Sequence, residues 1–230
     1  MKGLKLAFVT FLLSMFITQF SFTQDWSNLN RFKEDNANLG LPSAGENRIV
    51  FMGNSITIGW IGLHPEFFNG RSYINRGISG QTTPQMLVRF RADVINLKPK
   101  VVLILAGTND IAGNTGPSTL EMIEDNIISM AQLAKANGIK VILCSVLPVF
   151  DYPWKPGLEP AEKIITLNKM IQTYAVNNGM IYLDYFSAMV DERKGMKAEY
   201  STDGVHPNAA GYKVMEPLAE KAIAKAMSIR

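Results

Sequence analysis

The stretch Arg48-Ile-Val-Phe-Met-Gly-Asn-Ser-Ile-Thr-Ile-Gly-Trp60 decides how the rest of the chain is read. A short apolar run, Ile49 to Met52, ends in a glycine, and a small polar cluster centred on Ser55 follows at once. A buried strand delivers a side chain to the rim of a sheet in this way. In open α/β sheets, ligands sit just beyond the carboxyl ends of the strands. Ser55 is therefore either a turn residue or a nucleophile, and the remaining sequence must choose.

Outward from that run, short apolar segments alternate with helical periodicity. Ser72 to Gly77, Val101 to Gly107, Val141 to Leu147 and Met180 to Asp184 read as four further strands. Runs apolar on both faces are typical of parallel strands covered by helices on two sides. Between them, Thr83-Pro84 opens a helix with proline at its first position, whose inward face is Met86, Leu87, Phe90, Val94 and Leu97. Ser118 and Glu121 have capping-box spacing ahead of Ile123, Ile127, Met130 and Leu133, and Gly138 supplies a stop. Ile164, Leu167, Ile171 and Tyr174 mark the next helix. The last begins near Pro207 and turns Met215, Leu218 and Ile223 inward. Such alternation predicts an α/β sandwich around a five-stranded, mainly parallel sheet. With no internal repeat and no linker, residues 24–230 are expected to form one domain.

The 230 residues are 47% hydrophobic and 19% charged, a globular rather than a disordered composition. Lys2 and Lys5 followed by the apolar run Leu6 to Ile17, with Ser21-Phe22-Thr23 before Gln24, have the layout of a secretory signal peptide over 1–23. The rival is an uncleaved anchor, since apolar character persists to Phe22. No later segment is apolar for long enough to span a bilayer, so no stable membrane span is expected after processing. Without Lys2 and Lys5, 21 basic residues face 20 acidic ones, with no basic run to suit nucleic acid. Cys144 is the single cysteine, inside an apolar run, and reads as a small buried hydrophobe. Residues 24–47 read as a packing arm, with Trp26, Leu29 and Phe32 at helical spacing.

Four fragments collect at the predicted strand ends: Gly53-Asn54-Ser55; Arg76-Gly77, continuing into Ile78-Ser79-Gly80; Gly107-Thr108-Asn109-Asp110; and Thr202-Asp203-Gly204-Val205-His206-Pro207. Each alone is explained as a turn or a cap. Together they answer the needs of acyl transfer. A serine nucleophile needs a base within hydrogen-bond reach, and that base needs a carboxylate to orient it. Of the two histidines, His64 has no compelling partner and reads as a surface or packing residue, while His206 follows Asp203 by three positions. Donors for a developing oxyanion are available at the Gly77 backbone N–H and the Asn109 side chain.

In this order and spacing the fragments resemble the SGNH (GDSL-type) hydrolase superfamily, from about Met52 to Pro207. The resemblance implies a flavodoxin-like, three-layer α/β/α sandwich. It implies Ser55 as nucleophile with Asp203 and His206 completing a triad, and an oxyanion hole from the Ser55 and Gly77 N–H groups and Asn109. Asn54 stands where the family motif usually has Asp, keeping the shape and losing the charge. The expected activity is that of a secreted or periplasmic serine esterase acting on carboxylic, first of all acetyl, esters of a small molecule or glycan, with no metal or cofactor required. Alternatives are a lysophospholipase or thioesterase of the same superfamily, or a non-catalytic glycan-binding module on the same fold. Trp60, Tyr152 and Trp154 follow strand ends and either pack loops or line a substrate rim.

Overall fold

A computed structural model of the chain describes residues 25–229; the proposed signal peptide over 1–23 lies outside the described residues. Five parallel strands, β1 (Ile49–Gly53), β2 (Tyr73–Gly77), β3 (Val101–Leu105), β4 (Lys140–Cys144) and β5 (Ile181–Leu183), form one sheet in the order β2-β1-β3-β4-β5. The helices are α1 (Lys33–Leu39), α2 (Ser55–Leu63), α3 (Thr83–Asp93), α4 (Thr108–Ile111), α5 (Leu120–Ala136), α6 (Ala161–Asn177), α7 (Phe186–Met189) and α8 (Ala209–Ser228).

Side chains alternate between the two faces of each strand, so every buried run supplies two cores. Val50, Met52, Val102, Ile104 and Leu143 face one side, against Met86 and Phe90 of α3, Ile127 of α5 and Leu167 of α6. Ile49, Phe51, Val101, Leu103 and Cys144 face the other, against Trp60 of α2 and Met215 and Ile223 of α8. This is the predicted three-layer α/β/α sandwich. Cys144 is buried as expected, and burial pushes its thiol well above its usual range.

Helix ends follow the sequence with small shifts. Thr82 and Gln85 form a capping box ahead of α3. The cap of α5 is Thr119, one residue beyond the expected Ser118, and it accepts the Met122 N–H at 3.2 Å. The predicted amphipathic helix through Trp26 and Leu29 does not form. That segment is a series of turns with both side chains nearly half exposed, Phe32 is the one buried residue of the three, and the helix begins at Lys33. The terminal strand pairs Gly53↔Gly77 and Gly53↔Leu105 lie level across the sheet. The chain leaves β1 for β2 on one side and returns to β3 on the other. The β1/β3 junction is therefore the switch point at which such sheets open a crevice, and Ser55 stands there.

Candidate active site

Ser55 is the first residue of α2. Asn54, buried beneath it, accepts the Ile56 N–H on Oδ1 at 3.1 Å, while its carbonyl takes Thr57 and Ile58 N–H at 3.1 and 3.0 Å. The irregular Asn54 thus serves as a helix cap, which Asn and Asp do about equally well. The cap turns the chain sharply and leaves the Ser55 side chain at the surface of the crevice.

Across the crevice, the segment Ser201–Pro207 is closed by an isolated bridge between its end residues. Asp203 Oδ1 accepts the backbone N–H groups of Val205 and His206 at 2.9 and 2.8 Å, and Asp203 Oδ2 lies 2.7 Å from His206 Nδ1. His206 Nε2 is 2.9 Å from Ser55 Oγ. Partial burial raises the Asp203 pKa most, but the backbone and ring donors of His206 and the Val205 N–H together outweigh it, bringing the carboxyl to about 2. An ionised Asp203 requires the proton on Nδ1, which leaves Nε2 as acceptor for the Ser55 hydroxyl. The three predicted residues come together in one hydrogen-bonded chain, able to accept a proton from the serine and hold the resulting imidazolium beside a carboxylate.

The donor side differs from expectation. The Gly77 N–H is donated to Asn75 Oδ1 at 2.9 Å, and Asn75 Nδ2 is in turn held by Thr57 O at 2.6 Å. A Cβ at Gly77 would collide with the backbone of α2. Gly77 is a close-approach glycine with its N–H already spent. Three residues on, Ile78 to Gln81 make a turn with Gln81 N–H on Ile78 O at 3.4 Å and Gly80 at φ +76°. That positive φ at the third position is the type II geometry that selects glycine. Among the described residues the Gly80 N–H has no acceptor, nor has the Ser55 N–H. Ser79-Gly80 was the available signal, a turn dipeptide in an exposed loop.

Asn109 does reach this turn. Its Nδ2 donates one hydrogen to Gln81 O at 2.9 Å and keeps its second. Asn109 is fixed from both sides. Gly107 at φ +121° lets β3 turn against Leu167 and Val146, and Asp110 accepts the Thr83 N–H at 2.9 and 3.0 Å and the Thr83 hydroxyl at 2.6 Å. Burial raises the Asp110 carboxyl to about 6, against the pull of those Thr83 donors.

Two of the three aromatic rim candidates are structural. Trp60 is buried between Phe67 and Tyr212, with centroids 4.8 and 5.3 Å away, and its indole N–H reaches Glu216. Tyr152 is wholly buried and donates its hydroxyl to Thr108 O at 2.8 Å, bracing α4. Only Trp154 of the three stands at the surface of the site, 48% exposed, with its ring 6.1 Å from that of His206. His64 is a packing residue with partners after all: it is buried, Nε2 meets Ala209 O at the start of α8 at 3.0 Å, and Nδ1 lies near Glu66 and Glu216.

A 2-1-3-4-5 parallel sheet with these fragments at its strand ends defines the SGNH class of α/β/α hydrolases. The chain belongs to the GDSL-like Lipase/Acylhydrolase family, which it matches over residues 51–214. It is an ester-bond hydrolase. A solved acylhydrolase structure from Bacteroides fragilis, described as putative, superposes with a TM-score of 0.86 at 50% identity, covering 88% of this chain and 98% of that one. The esterase TesA of Pseudomonas aeruginosa is 29% identical, over 72% of this chain and 78% of its own length. An acetylxylan esterase of Xylanibacter ruminicola is 29% identical, over 76% of this chain and 43% of the enzyme. The chain spans between 33% and 78% of the length of the curated relatives it matches. Among the described residues no helix is long and apolar enough to cross a membrane.

Proposed function

We propose that the protein is a secreted serine esterase that removes short acyl groups, acetyl above all, from carbohydrates. The observation that carries this reading is the chain Ser55 Oγ, His206 Nε2, His206 Nδ1, Asp203 Oδ2, at 2.9 and 2.7 Å. Ser55 attacks the ester carbonyl as His206 takes its proton, and Asp203 holds the imidazolium. The Ser55 N–H, the Gly80 N–H and the free hydrogen of Asn109 Nδ2 stabilise the oxyanion, with Gly80 replacing the expected Gly77. The intermediate collapses as His206 protonates the departing alcohol. Water, deprotonated by the same histidine, then releases the acyl group and regenerates Ser55.

Trp154 supports a carbohydrate leaving group. An exposed indole beside the base offers a flat apolar face to a pyranose ring, which a small aliphatic alcohol would not use. The acetylxylan esterase among the relatives has the same preference in its name. Residues 1–23 support export through their signal-peptide layout.

The test compares hydrolysis of acetyl, butyryl and octanoyl aryl esters and of acetylated xylan, with Ser55→Ala as the control. Acetyl is expected to be fastest, xylan to release acetate, and Ser55→Ala to be inactive in every assay. A preference for octanoyl would favour the lysophospholipase or thioesterase alternative, and wild-type turnover by Ser55→Ala would overturn the assignment of the nucleophile. N-terminal sequencing of exported protein should begin near Gln24; an intact Met1 in the membrane fraction would contradict cleavage.

A further inference from the structure

The Ile78–Gln81 turn carries the proposed Gly80 donor on an exposed loop, yet the residue that ends it, Gln81, is 2% exposed and hydrogen-bonded in three directions. Its backbone carbonyl accepts Asn109 Nδ2 at 2.9 Å. Its side-chain Oε1 accepts Arg89 Nε at 2.5 Å. Its Nε2 donates to Ser27 O in the N-terminal arm at 2.8 Å. Arg89 is itself wholly buried and continues the frame, donating to Asp93 at 2.9 Å, to Gly53 O at 3.0 Å and to Arg76 O at 2.9 Å. Gly53 and Arg76 lie at the ends of β1 and β2, so one guanidinium grips the strand that presents Ser55 and the strand that leads into the Gly80 turn.

The arm is tied to the same frame a second time. Asn36 donates to Asp93 Oδ1 at 2.8 Å and accepts Arg76 Nε and Nη2 at 3.0 and 2.7 Å. Gln85, which caps α3 behind the turn, also donates to Trp26 O at 2.6 Å. An arm that only covered apolar surface would need none of these contacts. Of its large apolar side chains only Phe32 is buried, while Trp26 and Leu29 are nearly half exposed.

We infer that Gln81 is a positioning residue for oxyanion stabilisation, and that residues 25–36 hold it in place as a strap across the back of the oxyanion turn. The Gln81 side chain fixes the turn, and the turn's carbonyl orients the Asn109 amide while its glycine presents the Gly80 N–H. Misplacement of a preorganised donor by about an ångström costs on the order of 10²-fold in rate, and loss of one donor costs about 10² to 10³. A displaced turn should lower kcat and leave ground-state binding nearly unchanged.

This inference rests on Ser55 being the nucleophile, so its test is read against Ser55→Ala. Gln81→Leu, which keeps the bulk and loses both side-chain contacts, and Gln81→Glu, which keeps an acceptor for Arg89 and turns a carboxylate oxygen toward Ser27 O, are assayed on an aryl acetate. Active sites are counted by fluorophosphonate labelling carried to completion, so that misfolded protein does not enter kcat. The expected result is a fall in kcat per titrated site of about 10- to 100-fold in both variants, with KM within about threefold. A kcat per site equal to wild type in Gln81→Leu, with Ser55→Ala inactive, would overturn the positioning role while leaving the nucleophile intact. Wild-type kcat in Gln81→Glu would overturn the strap, because the Arg89 contact alone would then suffice. If Gln81→Leu does not fold, Gln81→Glu and Gln81→Met carry the same comparison. Activity surviving in Ser55→Ala would instead refute the underlying assignment.

Discussion

The two halves of the proposed site are built in opposite ways. On the donor side, Gln81, Arg89, Asn109 and Asp110 behind the donors are all at most 4% exposed, and their partners come from β1, β2, the Ile78–Gln81 turn, α3 and the N-terminal arm. On the acid–base side, Asp203 and His206 are each 38% exposed, and Asp203 is held by N–H groups two and three residues away. The contrast follows from what each half must do. Donors aimed at a developing charge work only when held rigid, and that takes a buried, long-range frame behind them. A histidine and its carboxylate need one angle and one tautomer, which a short loop can set by itself.

If the contrast is sound, variants on the two sides should fail differently. The largest effect belongs to the local side: Asp203→Asn should lower kcat by about 10⁴ through the wrong tautomer of His206. The loop should stay folded, because Asn retains an oxygen for the Val205 and His206 N–H groups. Calorimetry at neutral pH should show Tm lower by only about 2–4 °C, the share of the lost charge; a fall of about 10 °C or more would mean the loop depends on the charge. Arg89→Met should show the reverse. It strands Asp93 and two strand-end carbonyls in the interior, a defect of about 3–5 kcal/mol, or roughly 10 °C in Tm for a chain of this size. A Tm within about 2 °C of wild type would show that the frame is dispensable.

Asn109→Ala comes next, with kcat down by about 10² to 10³ and KM little changed; a change confined to KM would place Asn109 in substrate binding. The two carboxylates also pull stability in opposite directions with pH. Asp110 is raised from 3.8 to about 6 in the folded protein, so its contribution is full below 3.8 and is lost as pH rises through 6. Asp203 is lowered from 3.8 to about 2, so its contribution is present above 3.8 and is lost as pH falls toward 2. Asp110→Asn should therefore remove part of the decline in denaturation midpoint between about pH 4 and pH 7, and an unaltered profile would contradict its burial as a charge. The smallest effect is expected at Asn54→Asp, where the cap is retained and turnover should stay within about tenfold, some 1.4 kcal/mol of barrier.

The same contrast explains what could be read without the structure. Runs such as Val101 to Leu105 disclose buried parallel strands by their composition, and the sheet forms as read. Asp203 and His206 were legible because their relation is local: three residues, one loop. The donor side was not, because its logic is topological. Gly77 and Gly80 are equally plausible turn glycines until the pairing of β2 with β1 brings Gly77 against α2 and Asn75 takes its N–H. Trp60 and Tyr152 follow strand ends as a substrate rim would, but a large aromatic beside a strand end has two faces to choose from. Here α8 and α4 cover them. The arm was legible only as packing, since its ties run through the backbone carbonyls of Trp26 and Ser27, and backbone acceptors leave no mark in a sequence.

All of this depends on Ser55 being an activated nucleophile at the meeting point of the two halves. Reaction of the folded protein with a fluorophosphonate, followed by peptide mapping, tests that most directly. The expected product is a single adduct on Ser55, formed by wild type and absent when His206 is replaced by Ala. Folded wild-type protein that does not label, or that labels on another serine, would contradict it.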